Sequence, residues 1–368
     1  MKEERDFAGF VLSFAIGTFI ATGSTSADYT HYQPYATLSL GATVLLLIIL
    51  MYKPLRSNRG IPAGIIVILA GLACGCFTGY SCMICGMSAY GSAFALKLEE
   101  AGKLLGTLID RIGFSSSETN AVLKALITGE RGDIPASVTE AFRDSGASHI
   151  LALSGFHLGI IYGIISRPAS LMGGSRNAIL AKGTVTVALC GLYTLATGAG
   201  PSIVRAFIFI LLGECARLSH RKTTTASVLL SALLIQLTVN PLSIRTASFQ
   251  LSYAAMAGIA YVFPYLNNLW KADENNNWPI LRKIWNSAAM SVSCQLTTGP
   301  LAYHYFGTFP KYFLLTNLIA LPLTTLTIPS ALLTIVMSSF GICPVFLMQA
   351  TEFLVTSLIR SLEIIAGM

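Results

Sequence analysis

Charge is the scarcest ingredient of this sequence. Of 368 residues, 11% are Asp, Glu, Lys or Arg and 54% are hydrophobic, where an ordinary soluble domain carries about 25% charged residues. So little charge cannot cover the apolar surface of a water-soluble fold. Other absences exclude particular chemistries. No G-x-x-x-x-G-K-[ST] loop occurs, so any ATP-driven step belongs to a partner. No H-x-H-x-D-H cluster and no G-x-S-x-G elbow occur, which removes two hydrolase signatures. Internal repeats, heptad arrays and low-complexity tracts are also missing. Cysteine is present eight times, mostly inside apolar runs, where it behaves as a small hydrophobe. The pair Cys82-x-x-Cys85 has no second Cys or His pair near it, so no metal and no cofactor are expected.

Long apolar runs are what the sequence has instead. Val11 to Thr22, Leu38 to Tyr52 and Ile61 to Gly79 each approach the roughly 20 residues that cross about 30 Å of hydrocarbon as a helix. Helix is the expected element, because a lone strand leaves its backbone groups unpaired in lipid. The head of the first run mixes charges (Lys2, Glu3, Glu4, Arg5, Asp6) and no small-residue cleavage site follows, so it reads as a retained span. Further spans are expected near 149–166, 183–199, 201–216, 223–239, 248–265, 284–303, 313–336 and 344–366. The expected fold is an all-α polytopic membrane protein with about 10–11 transmembrane helices.

Basic residues set the orientation. Lys53, Arg56, Arg59, Arg167, Arg176, Lys182, Arg217, Arg221 and Lys222 fall in three loops, whereas loops 24–35 and 240–247 hold only Arg245. By the positive-inside rule the three basic loops and the N-terminus are cytoplasmic, which also accounts for most of the net charge of +7. Lys97 to Ser148 then lies outside. That stretch has six basic against eight acidic residues, too polar for lipid. Its apolar positions (Leu104, Leu105, Leu108, Ile109, Ile112) recur at helical spacing, so an amphipathic helix is expected on the membrane surface or against the bundle. Ser115, Ser116 and Ser117 ahead of Glu118 predict a capped start for a second short helix through Ile127. Three regions follow: 1–96, a three-helix membrane segment; 97–148, an extracytoplasmic amphipathic segment; and 149–368, the main transmembrane core.

Polar groups at bilayer depth are costly and mark either helix packing or a wet path. Ser154 and His157 are three residues apart, on one expected helix face. Gly155, Gly159 and Gly163 recur every fourth residue, which would admit a close helix neighbour. A Gly-Pro break precedes Ser202, with Arg205 one turn further in; this arginine either snorkels to the outer interface or places a fixed positive charge at a pore mouth. Gln250 and Tyr253 share a face, for interhelical hydrogen bonding or for a path. Asn317 and Pro322 predict a kinked or broken helix lining a cavity.

These stretches stand in a specific order. Gly129, Arg131 and Asp133 come from Leu126-Ile-Thr-Gly-Glu-Arg-Gly-Asp133. Phe142, Gly146 and His149 come from Ala141-Phe-Arg-Asp-Ser-Gly-Ala-Ser-His149, which runs into Leu151-Ala-Leu-Ser-Gly-Phe-His157. Gly200-Pro-Ser-Ile-Val-Arg-Ala206, Phe249-Gln-Leu-Ser-Tyr253 and Asn317-Leu-Ile-Ala-Leu-Pro322 complete the series. Over roughly residues 120–340 this resembles the membrane "competence" domain of the ComEC family, the inner-membrane channel for DNA uptake in natural transformation. The resemblance implies a multi-pass protein of the cell inner membrane that passes single-stranded DNA to the cytoplasm. The OB-like domain and the C-terminal metallo-β-lactamase-like domain of many members have no counterpart here, so no nuclease or other enzyme activity is expected. Separate DNA-receptor, nuclease and cytoplasmic ATPase partners are expected instead, besides lipid. Ser154, His157, Ser202, Arg205, Gln250, Tyr253 and Asn317 are the candidate path residues, with aromatic faces from Tyr303 to Phe306 for bases. Ser154, His157 and Arg205 are expected to line one shared path. A small-solute or ion transporter is the alternative, and a membrane-embedded hydrolase using Ser154 is the third reading.

Overall fold

The fold is built from helices alone, as the apolar runs require, and among the described residues no strand occurs. The structure, a computed structural model, describes residues 2–22, 63–85, 102, 104–169, 176–218, 224–270, 279–342 and 344–368. The expected span at 36–52 lies outside these residues, as do loops 24–35 and 53–60.

In chain order the helices are α1 (Lys2–Thr22), α2 (Ala63–Cys85), a helical stretch at 104–110, α3 (Ser117–Thr128), α4 (Ala136–Asp144), α5 (Ser148–Leu151), α6 (Gly155–Ala169), α7 (Arg176–Ala196), α8 (Pro201–Leu218) and α9 (Thr225–Val239). A 3₁₀ turn at Pro241–Arg245 follows, then α10 (Ala247–Ala257), a π turn at Gly258–Val262, α11 (Phe263–Asn268), α12 (Pro279–Phe306), α13 (Phe313–Ser339) and α14 (Val345–Ala366). Within the described residues, four stretches are long and apolar enough to cross a bilayer: Glu4–Thr22, Ala178–Ala196, Phe313–Ser339 and Val345–Ala366. The protein is an all-α polytopic membrane protein.

Two compact units form, and neither is continuous in sequence. One comprises Met1–Tyr90 with Lys222–Tyr253; the other comprises Gly91–Arg221 with Ala254–Met368. This division cuts across the three consecutive regions expected from the sequence, because α9 returns to pack against α1.

In the first unit, glycine lets two helices touch along their backbones. A Cβ placed on Gly75 would lie 2.0 Å from the Phe14 carbonyl oxygen, and one on Gly71 2.3 Å from that of Phe10. Gly17 meets the Leu72 carbonyl in the same way, at 2.3 Å. Thr18 Oγ1, buried in this contact, reaches both the Phe14 carbonyl of its own helix at 2.9 Å and the Gly75 carbonyl of α2 at 3.3 Å. The ends of α1 are tied down by charge. Glu4 accepts hydrogen bonds from Thr224 and Ser227 at the start of α9. Arg245, beyond the end of α9, donates to the Phe19 carbonyl at 2.6 Å and stacks 3.9 Å over the Phe19 ring. The start of α1 therefore meets the start of α9, and the two helices run parallel.

The second unit holds the largest core. Ile109, Val122, Leu126, Phe142, Ile150, Val355 and Leu358 are all buried in it. The apolar face of the stretch from Leu104 to Ile112 is thus packed into this core through Ile109 and Ile112.

Candidate functional site

The Ser154–His157 stretch sits where a helix was expected to run unbroken. The span predicted at 149–166 is two helices, α5 and α6, separated by the non-helical residues Ala152, Leu153 and Ser154. Ser154 precedes α6, and its carbonyl accepts the backbone N–H groups of His157 and Leu158 at 3.1 and 3.4 Å. Serine there competes with helix through local hydrogen bonds. The two side chains still meet, but through the first turn rather than along a helix face: Ser154 Oγ lies 3.0 Å from His157 Nδ1, and the Ser154 N–H reaches the same nitrogen at 3.3 Å. An amide N–H only donates, so Nδ1 accepts and the ring proton belongs on Nε2. Nε2 is buried and makes no hydrogen bond among the described residues.

Arg205 enters from the next helix but one. The turn before α8 is strained: Gly198 and Ala199 both have positive φ, +80° and +48°, and the alanine accepts a conformation that favours glycine at a cost of about 1–2 kcal/mol. Pro201 then starts α8 with the φ a first turn needs. Ser202 is half-buried at its second position, and Arg205 is 2% exposed one turn on. A Cβ on Gly155 would lie 3.2 Å from the Ala206 Cβ, so α6 and α8 abut beside these polar groups. Gly159 and Gly163 meet nothing within 4 Å. The expected glycine face on α6 is therefore used only at Gly155, and the dense glycine contact is in the first unit.

The remaining candidates divide between the units. Gln250 and Tyr253 belong to the first. They serve different partners: Gln250 Nε2 donates to the Ile244 carbonyl at 2.9 Å, and the Tyr253 hydroxyl donates to Gln236 at 3.0 Å. Asn317 is half-buried in α13, and its Oδ1 has no hydrogen-bond partner among the described residues. Pro322 does not break α13, which stays helical through both Pro322 and Pro329. Hydroxyl groups beside the prolines bond to carbonyls of the preceding turn, as Thr325 does to Leu321 at 2.7 Å. Tyr303 and Phe306 are 62% exposed at the end of α12.

The motif around Gly146 is a helix terminus and a joint. Gly146 has φ +82°, and a Cβ there would lie 2.5 Å from Pro310 Cβ. The Ala147 N–H closes back on the Phe142 carbonyl at 2.7 Å, while Thr316 donates to the Ser145 carbonyl at 2.7 Å. Phe142 is fully buried, and His149 Nδ1 lies 3.1 Å from the Gly146 carbonyl. Gly129 ends α3 in the left-handed conformation, φ +84°. Asp133 pairs with Lys124 at 3.0 Å, and Lys124 pairs also with Asp110 at 2.9 Å. Arg131 is exposed. These motif residues shape the scaffold at one end of the bundle.

One buried charge was not among the residues singled out from the sequence: Glu214 is 3% exposed. It accepts the Tyr162 hydroxyl at 2.6 Å and is ion-paired with Arg217. With Phe209, Ile210 and Gly213 these groups line a cavity of about 340 Å³. The i, i+3 spacing to Arg217 was the available signal. Among the described residues no group of three His, Cys, Asp or Glu side chains is placed to hold a metal ion.

Comparison with known proteins accounts for the order of these motifs. The competence protein family matches residues 126–368, well over half of the chain. The chain belongs to that family. Two relatives are similar across the same region. The uncharacterized protein YcaI of Escherichia coli K12 is 26% identical over 240 residues, 64% of this chain and 31% of the relative. ComE operon protein 3 of Bacillus subtilis 168 is 25% identical over 223 residues, 59% of this chain and 26% of the relative. The chain thus spans less than a third of the length of either of these relatives. No solved structure matches it.

Proposed function

We propose that this protein is the membrane conduit of a DNA-uptake system, passing one strand of incoming DNA to the cytoplasm during natural transformation. The observation that carries the reading is the family match over residues 126–368, coinciding with the ordered ComEC-type motifs. The structure supports it in a limited way: His157 and Arg205 supply a hydrogen-bond donor and a cation deep in one unit, on helices that abut at Gly155 and Ala206. Groups of this kind suit a passing phosphate, while the shortage of basic residues keeps binding loose. The conduit does no chemistry of its own. DNA capture and ATP hydrolysis fall to separate proteins. The setting is the inner membrane, N-terminus inside. Cysteines placed at Glu140, exposed on α4, and at Ser175, outside the described residues, should then react with an impermeant thiol reagent from opposite sides.

The deciding experiment is a deletion strain in which DNA entry into the cell envelope and arrival in the cytoplasm are measured separately. Envelope uptake should persist while cytoplasmic arrival and transformants are lost. Normal transformation in the deletion strain would overturn the proposal. Buried Glu214 favours a second reading, a cation or small-solute transporter. Purified protein that binds no single-stranded DNA at low salt, yet moves a small ion in vesicles, would select that reading.

A further inference from the structure

Five contacts trace the course of residues 102–128 through the second unit. A Cβ on Gly102 would lie 3.2 Å from the carbonyl oxygen of Ala196, the last residue of α7. One on Gly106 would lie 3.2 Å from Glu130, just past the end of α3. Asp110 is bonded to Asn120 and Lys124 in the middle of α3. At the start of α3 the Ser116 N–H donates to Glu352 of α14 at 3.0 Å. Near its end, Tyr193 of α7 donates to the Ile127 carbonyl at 2.7 Å. The chain therefore leaves the level of the α7 C-terminus, descends to Glu352, and climbs back along α3 to the level from which it came.

The depth of the descent can be gauged twice. Ser330 lies 2.6 Å from Thr351, so Glu352, the next residue, stands at the level of Ser330 on α13. Thr316, which holds the Ser145 carbonyl near the start of α13, is fourteen residues earlier, about 21 Å at 1.5 Å per residue. Independently, the 12 residues of α3 rise about 18 Å. Both are more than half of the roughly 30 Å hydrocarbon layer.

The descending and ascending limbs bury one face, with Ile109, Ile112, Val122, Leu123 and Leu126 in the core. The turn that joins them is polar and uncovered, while α3 beyond Glu118 has no exposed residue and the descending limb exposes Leu104. Arg111, Ser115, Ser117 and Glu118 are exposed at the turn, and Asp110 keeps 47% of its side chain open. Charged side chains and non-helical backbone at such depth are not tolerated against lipid. They persist where they are buried in protein or line a water-filled cavity, and these residues are not buried.

We infer that residues 104–128 form a re-entrant helical hairpin whose tip, Arg111 to Glu118, lines an aqueous vestibule sunk into the membrane from the face where α13 begins. By the charge rule that face is the outer one. The vestibule admits water and small hydrophilic solutes. With Asp110 and Glu118 against Arg111, its wall is no track for phosphate, so a nucleic-acid strand in this protein would run on another face. The inference stands whether or not DNA is what crosses.

Cysteine accessibility in the full-length chain, in intact cells, tests it. Glu118→Cys and Ser115→Cys probe the tip, and Glu140→Cys on exposed α4 is the surface reference, each measured against the parent chain at matched abundance. A small cationic methanethiosulfonate should modify all three from outside. A polymer-tethered maleimide should modify Glu140→Cys readily and the tip positions about tenfold more slowly or not at all, the added access barrier of a narrow cleft. Equal rates for both reagents at all three positions would place the hairpin on the surface and overturn the inference. Tip cysteines silent to the small reagent, or reactive only from the cytoplasmic side, would overturn it as well. None of these outcomes depends on the transformation assay, so the vestibule and the DNA reading fail separately.

Discussion

The two units solve the same problem, holding helices together in lipid, by different means. The first unit brings α1 and α2 so close that carbonyl oxygens occupy the space a Cβ would take at Gly17, Gly71 and Gly75, and its charged tethers, Glu4 and Arg245, sit at the helix ends. The second unit carries Arg205, Glu214 and His157 in its interior, and sets a polar hairpin into its side. Lipid offers no hydrophobic drive for helix association, so close backbone contact and interhelical hydrogen bonds must supply it. Both units use hydrogen bonds between elements, but the first adds the close α1–α2 backbone contact and the second a broad apolar core. Interior charge costs stability and persists where it serves a purpose, so the second unit is where function should be sought.

The sharpest way to break this comparison is to remove its glycines. Gly75→Val puts a branched side chain where the Phe14 carbonyl lies 2.0 Å from the Cβ position, and the helix pair must part. The recovered monodisperse protein should fall severalfold, as expected for a loss above about 4 kcal/mol. Gly159→Ala, where nothing lies within 4 Å, should leave recovery unchanged.

Removing charge from the second unit should have the reverse character. Arg205→Ala should abolish cytoplasmic DNA arrival at near-normal abundance, and Arg205→Lys should keep part of it, because a point charge attracts phosphate without the guanidinium fork. Transport that survives Arg205→Ala at normal abundance would count against Arg205 as a path residue. Loss of the folded protein would make Arg205 a packing residue like those of the first unit. Glu214→Ala leaves the Tyr162 hydroxyl and Arg217 without their acceptor. A loss of about 1–3 kcal/mol is expected in a thermal-stability scan.

Smaller effects sharpen the picture at the joints. Gly146→Ala faces both a positive φ and Pro310 at 2.5 Å, whereas Gly113→Ala faces a φ of +70° and nothing within 4 Å. Both should lose about 1–2 kcal/mol for the backbone conformation, and only the former should lose more, read as the difference between two melting temperatures. The smallest effect concerns pH. Hydrogen bonding to Asp110, then to Asp133, raises the Lys124 pKa above its usual 10.5. A raised base contributes stability that is complete below 10.5 and is lost as pH climbs through the folded value. Hydrogen-exchange protection of α3 from this group should therefore be flat from neutral pH upward and fall only in strong alkali. A fall near neutrality would mean that some other group holds the hairpin.

Much of this was legible in the residues alone. The runs at 313–336 and 344–366 became α13 and α14 almost unchanged, because continuous apolar sequence of spanning length has one stable solution in lipid. The ordered motifs from Gly129 to Pro322 carry the family resemblance in the sequence alone. Local competition was harder to see. Ser154 was read within a helix and instead ends a break before one, since its backbone groups serve the His157 turn. Pro322 was read as a kink or a break, and of the two the break is absent, because α13 continues through it as one helix. Ser116 fell at the predicted start of α3, yet its side chain makes no cap bond and its N–H is held by Glu352.

By itself the sequence determined that this chain lives in a membrane, that it is helical and which family it joins, since composition, period and motif order are properties of neighbours along the chain. Only the tertiary structure decided that α9 returns to α1, that the Tyr162 hydroxyl donates to Glu214, and that the chain at Ser116 meets Glu352. Each joins residues tens or hundreds of positions apart, and the free energy that selects such a pairing comes from removing both partners from lipid and water together, which no local pattern records.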